Sequence, residues 1–162
     1  MFDTIFGLPM HPLVVHATAV LVPLAAVTVA VAALWPRFRA WAAFLPFGAS
    51  VVGLILVPIS TSSGQELEKR LPPSALIERH SQLADGLLPW AIVLAVASLA
   101  LLVVHLREKS AKHEPLPRAI LAAVIVVAIV SSAGTVFQVG RIGHAGAVAS
   151  WGDVVSSTPA QP

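Results

Sequence analysis

The chain has 162 residues, 57% of them hydrophobic and only 11% charged, with a formal net charge of +2 and no cysteine. That composition marks an integral membrane protein with no room for a separate soluble domain. It also excludes disulfides, iron–sulfur ligation and covalent c-type haem attachment, which needs Cys-x-x-Cys-His. The sequence pI near 9.7 reflects a small basic excess on an almost uncharged chain and points to no nucleic-acid partner.

A helix needs about 20 consecutive apolar residues to cross the hydrocarbon core of a bilayer. Four segments reach that length, at 12–35, 41–60, 83–106 and 119–140. Runs such as AILAAVIVVAIV are continuously apolar, whereas a barrel strand alternates lipid-facing and lumen-facing residues. Helices are therefore the way this backbone satisfies itself in lipid. The expected fold is all-α: an integral membrane antiparallel four-helix bundle over residues 1–150, followed by a flexible polar tail at 151–162.

The first span is preceded by no basic stretch and carries histidines, so it does not read as a cleavable signal. The short turn at 36–40 makes a hairpin of spans one and two. The segment TSSGQELEKRLPPSALIERHSQLADG opens with Ser and Gly and is punctuated by Pro72 and Pro73, which predicts a loop. A short amphipathic helix starting near Pro73 and Ser74 then leads into span three. Pro115 and Pro117 in REKSAKHEPLPR stop span three and start span four. Pro23, Pro46, Pro58 and Pro89 fall inside the expected spans, where each removes a backbone hydrogen bond.

Lys and Arg in short loops set orientation. Arg37, Arg39, Arg107, Lys109, Lys112 and Arg118 lie at one end of the spans. Lys69, Arg70, Arg79 and Arg141 lie at the other, diluted by acids. The bias predicts a bacterial cytoplasmic (inner) membrane protein with both termini extracytoplasmic.

Four of the six histidines then share the extracytoplasmic end: His11, His16, His80 and His144. Ionisable groups at this depth are costly and usually functional. On the short amphipathic helix, Leu76, Ile77, Leu83, Ala84 and Leu87 form one stripe at 100° per residue, with His80 in its middle. His16 lies a turn inside span one and is expected to face the bundle interior. His11, before Pro12, reads either as a helix-start residue or as a ligand. His144 stands among Gly140, Gly143 and Gly146, which permit close backbone approach or a helix break. Ser131, Thr135, Gln138 and Arg141 make a polar stripe on span four, from which Gln138 and Arg141 would line a site, Arg141 pairing an anion such as a haem propionate. His105, beside Arg107, reads as snorkelling to the far surface, and His113 as part of a solvated loop.

Helix bundles build metal and haem sites from inward side chains on facing helices. The candidate cofactor-binding set is His16, His80, His144, Gln138 and Arg141, and the candidate metal set is His16, His80, His144 and His11. The expected cofactor is haem b or a transition metal (copper, zinc or iron). No nucleophile–base set, carboxylate pair or phosphate-cradling loop stands out, so an independent enzyme is not expected.

His11, Pro12 and His16 in the opening HPLVVH, Gly64 in TSSGQ, His80 in IERHSQLAD, and Gly143, His144 and Gly146 in GHAG occur in an order that resembles one family. It is the bacterial four-span membrane proteins of domain of unknown function 2231, and the likeness runs over nearly the whole chain. The departure is Ser63–Gly64, where the family more usually has Thr-Gly. The resemblance implies the four-span fold and the histidine pattern. Fusion of some relatives to redox modules adds electron transfer to a redox protein as an expectation. The competing expectation is a structural or assembly subunit, in lipid or as a homo-oligomer, whose buried histidines respond to pH without a cofactor. A transporter is disfavoured, because no pair of broken helices repeats.

Overall fold

The computed structural model describes residues 4–5, 8–110 and 116–157. Thr4–Ile5 (β1) and Leu8–Pro9 (β2) form a two-residue antiparallel pairing, with Ile5 opposite Leu8. Six helices follow: α1 Met10–Leu34, α2 Pro36–Ala42, α3 Leu45–Glu68, α4 Ala75–Asp85, α5 Leu87–Lys109 and α6 Arg118–Ser157. Four segments are long and apolar enough to cross a membrane: α1, α3, α4 with α5, and α6 as far as Gly152. The all-α bundle expected from the sequence is the fold.

Large side chains face outward and small ones inward. Val22, Ala25, Ala26, Val29, Ala32 and Ala33 are the buried stripe of α1, at the helical spacing of three and four. Val20, Leu24 and Val27 on the same helix are exposed, as lipid contact requires. In lipid no hydrophobic force drives helices together, so close approach through small residues does. The core of this stripe with Leu94, Ala97, Leu101 and Ala128 joins α1, α5 and α6. α5 and α6 approach closely at Gly134, where an added Cβ would fall 2.1 Å from the Trp90 ring.

The boundaries differ from the expected spans at three places. Residues 36–42 form a separate short helix, and span two begins at Leu45 rather than at Trp41. Ala43 between them has φ 44°, which breaks the helix at some strain for a residue with a Cβ. Trp35 at the start of α2 stacks on Phe38, which meets Trp41 at a tilt, and Trp41 is 78% exposed, the arrangement of an aromatic belt at a membrane surface. Next, TSSGQELE is not a loop but the last turns of α3. Finally, α6 is unbroken through Gly140, Gly143 and Gly146 and reaches Ser157, so 151–157, expected as tail, is helical. Its 40 residues span roughly 60 Å, about twice the hydrocarbon thickness, and the start of its second half packs through Val139 and Ile142 on Val22, Val57, Leu87 and Ala91. The prolines also divide. Pro23 and Pro58 lie within helices. Pro46 and Pro89 sit in the first turns of α3 and α5, where the missing N–H has no intrahelical partner to lose.

The basic end is closed by an ion pair. Arg39, 4% exposed, turns inward from α2. Its Nη2 donates to both carboxylate oxygens of Glu108, at 3.0 and 3.2 Å, and its Nη1 to the Ala32 carbonyl at 3.3 Å. One side chain thereby ties α2 to α1 and α5. His105, one turn before Glu108, is also 4% exposed, so it packs into the bundle rather than snorkelling to the surface. His113 lies outside the described residues.

Two stability effects follow and are read by chemical unfolding in detergent. Gly134→Ala should cost about 1–3 kcal/mol, because the added methyl must push the Trp90 ring and with it α5 away from α6. Glu108→Ala should cost on the order of 1–3 kcal/mol by leaving a buried guanidinium short of its partner. Glu66→Ala removes an ion pair to Lys69 that is exposed on both sides and should cost less than about 1 kcal/mol. Equal effects from Glu108→Ala and Glu66→Ala would contradict the role given to Arg39.

Candidate functional site

At the end opposite Arg39 the helices diverge. The first turns of α1 pack on α3 and α6, while α4 packs on α6, α3 and α5. Between them lies a cavity of about 760 Å³, inside the usual range for small-molecule sites. Ile77, His80, Ser81 and Ala84 of α4 line it, at spacings of three, four and seven. His80 thus sits on the inward stripe of α4, as its apolar neighbours predicted. Val57, Leu87, Val139 and Ile142 form apolar wall.

Three histidines line the cavity: His11, His16 and His80. Their ring protons can be assigned from their partners, since a carbonyl can only accept. His80 Nδ1 lies 3.1 Å from the Ile142 carbonyl, so Nδ1 carries the proton and Nε2 the lone pair. His16 Nδ1 donates to the Pro12 carbonyl of its own helix. His11 Nδ1 lies 3.1 Å from Ser63 Oγ, and that hydroxyl donates its one proton to the Ser60 carbonyl at 2.9 Å. His11 Nδ1 is therefore a donor too. All three neutral rings are held through Nδ1, leaving Nε2 as an acceptor. This is the tautomer that fixing one ring nitrogen on a protein oxygen prepares for ligand contact at the other.

Two glycines make room for the rings. A Cβ at Gly64 would lie 2.9 Å from His11 Cε1, and one at Gly146 would lie 3.0 Å from His80 Cε1. Each ring lies edge-on against bare backbone of a facing helix. His11 and His80 are both half-buried, and near enough for a charge on one to be felt at the other. His16, expected inside the bundle, is exposed at the edge of the cavity.

The remaining expected site residues are elsewhere. His144 is exposed and outside the lining. Because α6 does not break, Gly143, Gly146, Ala147 and Ser150 face the cavity, and a residue at 144 is turned about 100° away from Gly143. Gln138 is buried, but its Nε2 donates to the Leu83 carbonyl at 2.6 Å, bracing the joint where α4 meets α5 at Gly86. Arg141 is exposed; it reaches Gln138 Oε1 at 3.5 Å and lies over the Phe137 ring at 5.9 Å. Neither lines the cavity. Glu68 and Asp85, which sequence reasoning did not single out, do.

These placements bear on the expected cofactors. Among the described residues no group of three or more His, Cys, Asp or Glu side chains is placed to hold a metal ion, so His11, His16, His80 and His144 are not brought together as a metal centre. Haem fares unevenly. His11 and His80 both bring an imidazole to the cavity lining, the ligand type that bis-histidine haem ligation uses. The lining holds the carboxylates of Glu68 and Asp85 and, among the described residues, no Lys or Arg that would pair haem propionates.

The family described as Predicted membrane protein (DUF2231) matches residues 7–159. No curated protein matches the chain, and no solved structure matches it.

The glycine seats give a direct test. Gly64→Ala and Gly146→Ala should each displace a histidine ring, whereas Gly48→Ala, with nothing within 4 Å of its added methyl, should leave both rings in place. Histidine ring resonances in the purified protein check this. Unchanged His11 and His80 signals in the first two variants would contradict the seating.

Proposed function

The chain belongs to the DUF2231 family of predicted membrane proteins, and on that premise we propose that it is a membrane-embedded binding protein. Its pocket takes a small, largely apolar molecule at the histidine end of the bundle. The observation that carries this reading is the cavity lined by His11, His16 and His80, whose Nδ1 atoms are held on protein oxygens and whose Nε2 atoms have no hydrogen-bond partner among the described residues. A histidine kept only for packing has no need of a fixed tautomer facing open space.

The pocket is placed at the extracytoplasmic face of a bacterial cytoplasmic membrane, with both termini on that side. The excess of Lys and Arg around α2 and between α5 and α6 supports this orientation. Arg39 pairs with Glu108, but the rule counts basic residues rather than net charge.

A second reading is a haem b between His11 and His80, serving one-electron transfer to a redox protein. The two imidazoles in the lining favour it, and the carboxylates, with no Arg in the lining among the described residues, oppose it. A reduced-minus-oxidised absorption spectrum of protein produced with haem supplied separates the two. A low-spin b-type spectrum lost in both His11→Ala and His80→Ala would favour haem.

The chain lacks cysteine, so a single introduced thiol reports on the pocket without interference. Val139→Cys, on the cavity wall, should react with a membrane-impermeant methanethiosulfonate added outside intact spheroplasts. Val29→Cys, fully buried in the core, should not react. Labelling of Val139→Cys only after lysis would reverse the orientation, and no labelling at all would remove the pocket.

A further inference from the structure

The chemistry of the lining selects among apolar ligands. Each of the three histidines has its Nδ1 proton engaged on a protein oxygen, so in the neutral form each offers only an acceptor, Nε2. Glu68 and Asp85 add carboxylate oxygens, which accept and do not donate when ionised. Thr61 Oγ1 donates to the Pro58 carbonyl, and turns its remaining capacity, also an acceptor, outward. No Lys or Arg lines the cavity among the described residues. The Ser60, Ser81 and Ser150 hydroxyls and the Trp151 indole N–H can donate as well, so what distinguishes the lining is its histidine acceptors and two carboxylates, set in apolar walls. An apolar anion placed there would face the half-buried Glu68 and the exposed Asp85, with no Lys or Arg in the lining among the described residues to offset the repulsion. A neutral molecule with acceptors alone would leave the histidine lone pairs unmatched, and unmatched buried polar groups are costly.

Resting on the pocket reading above, we infer that the cavity binds a lipid-soluble molecule whose head donates hydrogen bonds to imidazole Nε2. That head is a phenol or hydroquinone hydroxyl, or a protonated amine. Hydroquinone and ammonium share the chemistry the lining asks for: a compact donor head on an apolar body. His11 and His80, both in the cavity lining, receive the donors. Glu68, half-buried at the end of α3, favours positive or proton-rich heads over anions. The cavity's size admits a substituted ring with part of its chain, the rest extending into lipid.

The test uses the full chain carrying Val139→Cys in nanodiscs of neutral lipid. Protection from methanethiosulfonate is measured with four compounds of equal alkyl length: a hydroquinone, its oxidised quinone, an alkylamine and a fatty acid. Equal chains hold membrane partitioning close to constant. The hydroquinone or the amine should slow labelling about tenfold, the effect of free ligand at roughly ten times Kd, while the quinone and the fatty acid should leave it unchanged. Protection by only one of the two donors identifies the head. His80→Phe keeps a flat ring and removes Nε2, so it should abolish protection while the unliganded labelling rate stays at its starting value; that rate shows the variant is folded. Should His80→Phe alter the unliganded rate, Glu68→Gln replaces it, and it should weaken the amine more than the hydroquinone. Protection by the quinone or the fatty acid equal to that by the donors would overturn the inference and leave the pocket standing. A reactive thiol that no compound protects would overturn it as well. An unreactive thiol would instead remove the pocket itself.

Discussion

The structure depends on close approach between helices, and close approach depends on small residues placed opposite large rings. Lipid provides no hydrophobic drive for one apolar helix to seek another, so contact area and packing must supply it. Along α1 an alanine-rich stripe lets α5 and α6 come in over the middle of the bundle. At Gly134 the device is taken to its limit, with the Trp90 ring lying where any side chain would stand. The same device recurs at the histidine end, with a different consequence. Gly64 and Gly146 each receive an imidazole edge, and the ring so placed reaches an oxygen with Nδ1. Packing thereby decides tautomer, and tautomer decides what the cavity can bind.

The two ends of the bundle are built on opposite principles. At the basic end Arg39 is buried and paired with Glu108, His105 is enclosed, and an aromatic helix lies across the surface. That end is closed and held. Between the ends, the cluster from Ala25 to Ala33 with Leu94, Leu101 and Ala128 is apolar throughout. Ser132 and Thr135 lie buried with hydroxyls that have no partner among the described residues, Thr135 on the same face of α6 as Gln138. The polar character of the interior thus grows from the apolar cluster towards the cavity, where charges and open ring nitrogens are found. A bundle whose polar groups gather at one end is suited to hold a molecule there rather than to pass one through.

Much of this was legible in the sequence, for identifiable reasons. Span number and helical character follow from the length of the apolar runs, because lipid allows the backbone few alternatives. The inward face of α4 followed from period alone, and it placed His80 correctly. Boundaries and small residues were harder to read. TSSGQELE carries Ser and Gly, which favour turns in water, yet here Gly64 is helical because His11 needs its missing side chain. Gly140, Gly143 and Gly146 suggested a break for the same reason, and the unbroken helix turns His144 away. Gln138 and Arg141 shared a polar stripe with the buried serines, but a stripe does not say which member faces a cavity and which braces a joint. Glu68 and Asp85 were hidden among surface acids, since only the meeting of α3 and α4 with the second half of α6 brings them to one space.

The most direct measurement of the central claim is the ring protonation of the cavity histidines. Nitrogen-15 spectra of histidine-labelled protein in nanodiscs at pH 8 distinguish Nδ1–H from Nε2–H, with signals assigned by single His→Gln variants. Free imidazole side chains in water favour Nε2–H. The account predicts the opposite form, Nδ1–H with an unprotonated Nε2, for both His11 and His80. Finding Nε2–H at these two positions would contradict it, because the ring nitrogens facing the cavity would then be donors and the pocket would recognise a different chemistry.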